Sequence, residues 1–212
     1  MRLYHHPMSS NSRRASMTAI HLGAPVEHVL IDLAKGAQRS ASFLRKNPNG
    51  KVPVLEDDGF ILWESHAIMQ YLADKTPGGD AIYPTEPRAR ADVNRWLFWS
   101  AYHFQPAVSV LGWERVVKGM IGAGAPDPAE EKRGEALVSG LGRILDAHLE
   151  GKEWIAQDKL TVADFAIATP LSFMHPARLP LGDFRRLLAW FSRVQATEAW
   201  KATSPSPDDT NK

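Results

Sequence analysis

Residues 47–65 read NPNGKVPVLEDDGFILWES, and no other stretch constrains the fold as tightly. Val52-Pro53 sits inside an apolar run. A proline lacks the N–H that a central strand needs, so this step belongs at an edge, at a bulge or in a turn with a cis bond. A cis bond there would turn the Val52 N–H and C=O outward. Asp58-Gly59, between VPVLE and FILW, is a strong hairpin signal. Glu64-Ser65 then opens the amphipathic run AIMQYLAD, where Ile68, Tyr71 and Leu72 recur at helical spacing. Ser65 therefore falls at a helix N-terminus, where unpaired N–H groups favour a carboxylate.

Upstream of that segment the pattern predicts a strand over 2–6, a helix from about Asn11 to Leu22, a strand over 27–31 and a short helix near 40–46. With strands at 52–56 and 60–63 and a helix at 65–75, the order is βαβ followed by a hairpin and a helix. Pro77 to Pro87, PGGDAIYPTEP, is dense in Pro and Gly, has no periodicity, and reads as a linker. Beyond Pro87 the chain contains no convincing strand. Helices are expected near 88–121 with a bend at Pro106, then at 128–150, 162–175, 183–194 and 196–202. The expected organisation is an α/β domain at 1–76, a linker at 77–87, an all-α domain at 88–203 and a flexible polar tail at 204–212. In LTVADFAIA, Thr161 is an N-cap with Asp164 completing a capping box and Leu160 against Phe165 as staple, so Asp164 is a folding residue rather than a catalytic acid.

A chain of 212 residues with 44% hydrophobic content can build a sizeable core. A formal charge of +1 gives no electrostatic footprint for nucleic acid. The absence of a long apolar run predicts no membrane span, and the passage from Met1 straight into a strand predicts a cytoplasmic protein. The chain has no cysteine, which excludes disulfide exchange and thiol nucleophiles of its own; any sulfur chemistry must come from a bound thiol. The eight histidines show no metal spacing, and neither phosphate-loop, dinucleotide nor nucleophile-elbow motifs occur. No metal is expected.

The segments LYHHPMSSNSRRAS and NPNGKVPVLEDDGFILWES, in that order, resemble the glutathione-binding half of the cytosolic glutathione S-transferase family, and the resemblance spans nearly the whole chain. It is to serine-type members of the theta, phi and delta kind and their bacterial counterparts. The resemblance implies a thioredoxin-like domain (βαβαββα) followed by an all-helical one, glutathione as co-substrate, a small hydrophobic electrophile as second substrate, and a homodimer. It implies that Val52, before the cis-proline Pro53, pairs its backbone with the cysteinyl unit of glutathione, and that Glu64 and Ser65 hold the γ-glutamyl end. Lys51, with Arg39 as a second cation, is placed to meet the glycine carboxylate; Gln38 stands where several classes have a histidine.

For catalysis the resemblance points to the loop PMSSNS, residues 7–12. A hydroxyl that donates to sulfur near a helix N-terminus favours the thiolate. Pro7-Met8-Ser9 with Arg13 fits the serine-type spacing, so Ser9 leads, Ser10 is second, and Asn11 could serve through its amide. The bland alternative is that these residues only cap the helix. Tyr4 is a poor rival because it lies within the strand. Trp96, Trp99, His103, Pro106, Val110 and Trp113 recur at spacings of 3 and 4, and Trp99 and His103 are the candidates for a second-substrate pocket. The expected activity is conjugation of glutathione to an apolar electrophile, or the related peroxidase, dehalogenase or isomerase chemistry. The rival is a non-catalytic binding or assembly module on the same fold.

Overall fold

The structure is a computed structural model that describes residues 1–205. Strands β1 (Arg2–His5), β2 (Glu27–Leu30), β3 (Val54–Asp57) and β4 (Phe60–Trp63) form one sheet in the order β2-β1-β3-β4. β1 and β2 are parallel, joined through helix α1 (Ser10–His21), and β3 is antiparallel to both of its neighbours. Side chains alternate across this sheet. Leu3 and Leu55 pack with Ala15 and Ala19 of α1 and with Ile68 and Leu72 of α3 (Ser65–Lys75). Val54 packs with Phe43 of the short helix α2 (Ala41–Leu44), with Val52 and with the partly buried Tyr4 and Ile61. The result is a thioredoxin-like α/β arrangement with the sheet as its middle layer.

The local signals act as chemistry dictates. Asp58 and Gly59 both take positive φ, 48° and 88°, as the two-residue hairpin turn requires. The Val52-Pro53 bond is cis, and the β3 ladder starts only at Val54, beyond the proline that has no N–H to give it.

The helical part comprises α4 (Pro87–Trp99), α5 (Gln105–Gly112), α6 (Lys118–Ile121), α7 (Pro128–His148), α8 (Val162–Ala168) and α9 (Arg185–Ala196). The single bent helix expected over 88–121 is instead three α segments separated by π turns at Ser100–Phe104 and Trp113–Val117. The first π turn ends just before Pro106, whose missing N–H interrupts a regular ladder. Likewise the helix expected over 162–175 tightens to a 3₁₀ turn at Thr169–Phe173, which carries Pro170 near its start.

By contacts the chain divides into two compact units, Met1–Thr85 with the chain from Ala196 onward, and Glu86–Gln195. This differs from the expected boundaries at two places. Residues 77–85 belong to the first unit: Ile82 and Tyr83 are buried, and Gln70 Nε2 donates to the Tyr83 hydroxyl at 2.9 Å. Helix α10 (Glu198–Ala202) also belongs there. The Arg13 guanidinium of α1 stands 3.7 Å from the centre of the Trp200 ring and donates to the Trp200 carbonyl at 3.0 Å and to the Ser204 hydroxyl at 2.9 Å. Of the tail expected at 204–212, all but the first two residues lie outside the described residues.

Candidate active site

Strand pairing brings the candidate loops together. Tyr4 near the end of β1 pairs with Val54 at the start of β3, and Val54 pairs with Trp63 at the end of β4. β2 ends beside β1, with His5 opposite Leu30. Four connections therefore open at one end of the sheet: the loop carrying Ser9, Ser10 and Asn11; the Val52-Pro53 step with Lys51; the Glu64-Ser65 pair; and the segment after β2 that leads to Gln38 and Arg39.

Ser9 is the N-cap of α1, its Oγ accepting from Ser12 N at 3.2 Å. The capping reading is thus realised, and it does not compete with the chemical one, because a hydroxyl that accepts at a lone pair keeps its own O–H to donate. That O–H stands at the positive end of a 12-residue helix. Ser12 is spent differently: fully buried, its Oγ accepts from His6 N at 3.2 Å and closes the loop. Ser10 is buried as the first helical residue and Asn11 is half-buried. Tyr4 donates its hydroxyl to Glu56 at 2.6 Å, and Lys46 reaches the same carboxylate at 2.6 Å, so the tyrosine is part of a structural network.

Glu64 is exposed and holds φ 72°, ψ 110°, an uncommon conformation for a residue with a side chain and one that costs about 1–3 kcal/mol. Such strain is concentrated at functional positions. Ser65 is buried as the first residue of α3. Behind it His66 meets the fully buried Arg14 of α1, with His66 Nε2 2.9 Å from Arg14 Nη1. Arginine only donates, so Nε2 is the acceptor and the imidazole proton sits on Nδ1. Burial, reinforced by the charge of Arg14, holds His66 far below the usual histidine range, and burial lowers Arg14 to about 9. A cation is thereby fixed close behind the α3 N-terminus, where it adds to the field of the helix amides. Sequence reasoning missed Arg14 in this role; the only sign was a second arginine on a helix built largely of small residues.

Lys51 is exposed, and its carbonyl accepts from the buried Asn47 Nδ2 at 2.6 Å. The Gln38 carbonyl lies 3.4 Å from where a Cβ on Gly50 would stand, so the turn bearing Gln38 and Arg39 abuts the loop bearing Lys51. Gln38 Oε1 is buried without a hydrogen-bond partner among the described residues, and Arg39 is exposed.

Trp99 and His103 belong to the second unit. Trp99 is half-buried, stacked on Phe104 with ring centres 5.3 Å apart and edge-on to Trp96 at 5.3 Å, while His103 is exposed. The stripe expected from Trp96 to Trp113 is not one face: Trp96 is buried, whereas His103, Pro106 and Trp113 are exposed. A π turn holds one residue more than an α turn, so the phase of everything beyond it is rotated.

This arrangement sits on a known architecture. A family model described as the glutathione S-transferase N-terminal domain matches residues 1–74, and one described as the C-terminal domain matches residues 104–198. The chain belongs to the glutathione S-transferase family. It is 34% identical to glutathione S-transferase theta-2 of Rattus norvegicus over 199 residues, 92% of this chain and 81% of that protein. With glutathione S-transferase 3 of Zea mays it shares 34% identity over 209 residues, 96% and 92% of the two chains. A delta-class glutathione transferase of Nilaparvata lugens has the same fold, with a TM-score of 0.80 at 30% identity over 96% of this chain and 94% of that one. The loop of residues 7–12 has no cysteine and carries the hydroxyls of Ser9, Ser10 and Ser12 and the amide of Asn11.

Proposed function

We propose that this chain is a glutathione S-transferase in which the Ser9 hydroxyl donates a hydrogen bond to the glutathione sulfur and holds it as the thiolate, which attacks a small apolar electrophile. The convergence of the Ser9, Val52-Pro53 and Glu64-Ser65 connections at one sheet end carries this reading. Glutathione binds by its γ-glutamyl carboxylate at Ser65 and the amides of α3, where Arg14 adds positive potential, and by its amino group at Glu64. The backbone of Val52, outside the β3 ladder, takes the cysteinyl unit, and Lys51 and Arg39 meet the glycine carboxylate. The thiol proton passes to solvent, and the sulfur lone pair forms the new bond as the electrophile releases its leaving group or takes up the charge. Ser10 and Asn11 stand beside Ser9 as lesser contributors. The reading extends to a cytoplasmic homodimer that works in detoxification.

The test is the ultraviolet absorbance of the glutathione thiolate, titrated across pH with protein in excess. A thiol pKa clearly below that of glutathione in water supports the transferase. Binding with no shift would indicate a carrier or assembly module, and no binding would overturn the reading.

A further inference from the structure

His6 follows the last residue of β1 and precedes Pro7, and a proline disfavours helical backbone in the residue before it. From that place His6 shapes the loop ahead of α1. Its carbonyl accepts from Ser9 N at 3.0 Å, its N–H donates to Ser12 Oγ at 3.2 Å, and its ring Nδ1 accepts from Met8 N at 3.2 Å. Ser9 is held at its other polar atoms as well: its Oγ accepts from Ser12 N at 3.2 Å and its carbonyl accepts from Arg13 N at 2.8 Å. Pro7 has no N–H, and the N–H groups of Met8 and Ser9 are both taken by His6. Among residues 7–9, the Ser9 O–H is the donor left for a ligand.

The imidazole brings a burden to this place. It is 4% exposed, and because Met8 N is the donor, Nδ1 is the acceptor and the ring proton sits on Nε2. Nε2 is buried with no hydrogen-bond partner among the described residues. A buried donor left unmet is costly, and an apolar side chain of similar size would not carry that cost. Packing alone therefore does not favour a histidine here. What the ring supplies is the acceptor for Met8 N.

We propose that His6 is a positioning residue for the thiol chemistry: its Nδ1 fixes the Pro7-Met8 peptide and so aims the Ser9 O–H at the glutathione sulfur. This rests on the transferase reading above. Without that acceptor the half-buried Met8 N–H turns toward solvent, the peptide rotates, and Ser9, one residue on, loses the fixed direction of its hydroxyl. Val52, Glu64 and Ser65 lie on other connections of the sheet, so the loss falls on kcat and on the acidity of the bound thiol, with glutathione affinity kept.

His6→Leu and His6→Asn separate this role from packing. An asparagine oxygen accepts from the N–H two residues on, as in an Asx turn, whereas leucine fills the site without an acceptor. His6→Leu is expected to lower kcat about tenfold and the acidity constant of the bound thiol by about the same factor, with the glutathione KM within about twofold of the wild type. His6→Asn restores the acceptor and keeps kcat within about threefold. A role in packing alone gives the reverse order, because asparagine is the smaller and more polar replacement. Leucine as active as the wild type, or asparagine worse than leucine, would overturn the proposal. Nitrogen NMR of the wild type without glutathione is the second arm and needs no variant to fold: His6 should carry its proton on Nε2, with Nδ1 coupled to the Met8 amide, and a proton on Nδ1 would also overturn it. A wild type that leaves the thiol as weakly acidic as in water ends the transferase reading and this inference together. A thiol acidified equally by the wild type and His6→Leu ends this inference alone.

Discussion

At Ser9 two functions share one side chain, and they can be separated. Its Oγ accepts from Ser12 N, and its O–H is proposed to donate to sulfur. Ser9→Ala removes both: stability falls by about 1 kcal/mol for the lost cap. Turnover falls roughly ten- to a hundredfold, the worth of one hydrogen bond to a charged group, with glutathione affinity nearly intact. Ser9→Asp keeps the cap but sets a negative charge beside the thiolate; stability holds and turnover still collapses. Steady-state kinetics beside urea denaturation reads both, and unchanged turnover in Ser9→Ala would remove Ser9 from the chemistry. A second prediction concerns His66. Buried against Arg14, it stays neutral, so its ring signals should not titrate between about pH 5 and 8 by NMR, and the pH dependence of the reaction should follow the thiol. Ser9 is legible in the sequence through its capping chemistry, and Ser65 through the amphipathic run that it opens. Arg14 is not, because a buried cation is defined by neighbours that only the fold assembles.

At the scale of elements, strands and helix starts follow from proline, Asp-Gly and capping signals, which act within a few residues. The π turns do not: Pro106 foretells a bend but not its form, and no residue type marks the turn at Trp113–Val117. The α8 cap shows how much a local motif gains from its surroundings. Asp164 is fully buried and accepts from Ile155 N at 3.0 Å, Trp190 Nε1 at 2.8 Å, Thr161 N at 2.8 Å and Thr161 Oγ1 at 3.1 Å. Asp164→Ala therefore strands several buried donors and should cost about 3 kcal/mol or more, beyond the value of a surface cap. Burial outweighs these donors and raises the carboxyl to about 6. The folded state then holds this proton more tightly than the unfolded chain does, so the contribution is complete below about pH 4 and is lost as pH rises through about 6. Asp164→Asn has no such proton. Its stability deficit against the wild type should widen by roughly 1.4 kcal/mol per pH unit on acidification through that window. Denaturation at pH 4, 5, 6 and 7 measures it, and a deficit independent of pH would mean the carboxyl is not raised.

At the scale of the molecule, the contact pattern makes the first unit discontinuous: the chain leaves it at Thr85 and returns at Ala196. A linker rich in Pro and Gly makes a boundary near residue 77 look natural, yet the burial of Ile82 and Tyr83 carries the unit further. The return of α10 is invisible in the sequence because Arg13 meets it through a backbone carbonyl, the Thr203 and Ser204 hydroxyls and an aromatic face, none of which a sequence pattern advertises. This topology has a consequence for stability. Removing the Trp200 ring deletes a buried side chain and the π-face beneath a buried guanidinium, so Trp200→Ala should destabilise the first unit by about 3–5 kcal/mol. Truncation after Gln195 should do more, since it also removes the carbonyl and hydroxyl acceptors of Arg13 and leaves a buried cation without them. Both variants keep every residue proposed to touch glutathione. If the first unit depends on α10, each loses glutathione affinity together with amide-exchange protection in α1, and residues 1–85 expressed alone do not fold. Full protection of α1 in the truncated chain would show instead that α10 is an appendage.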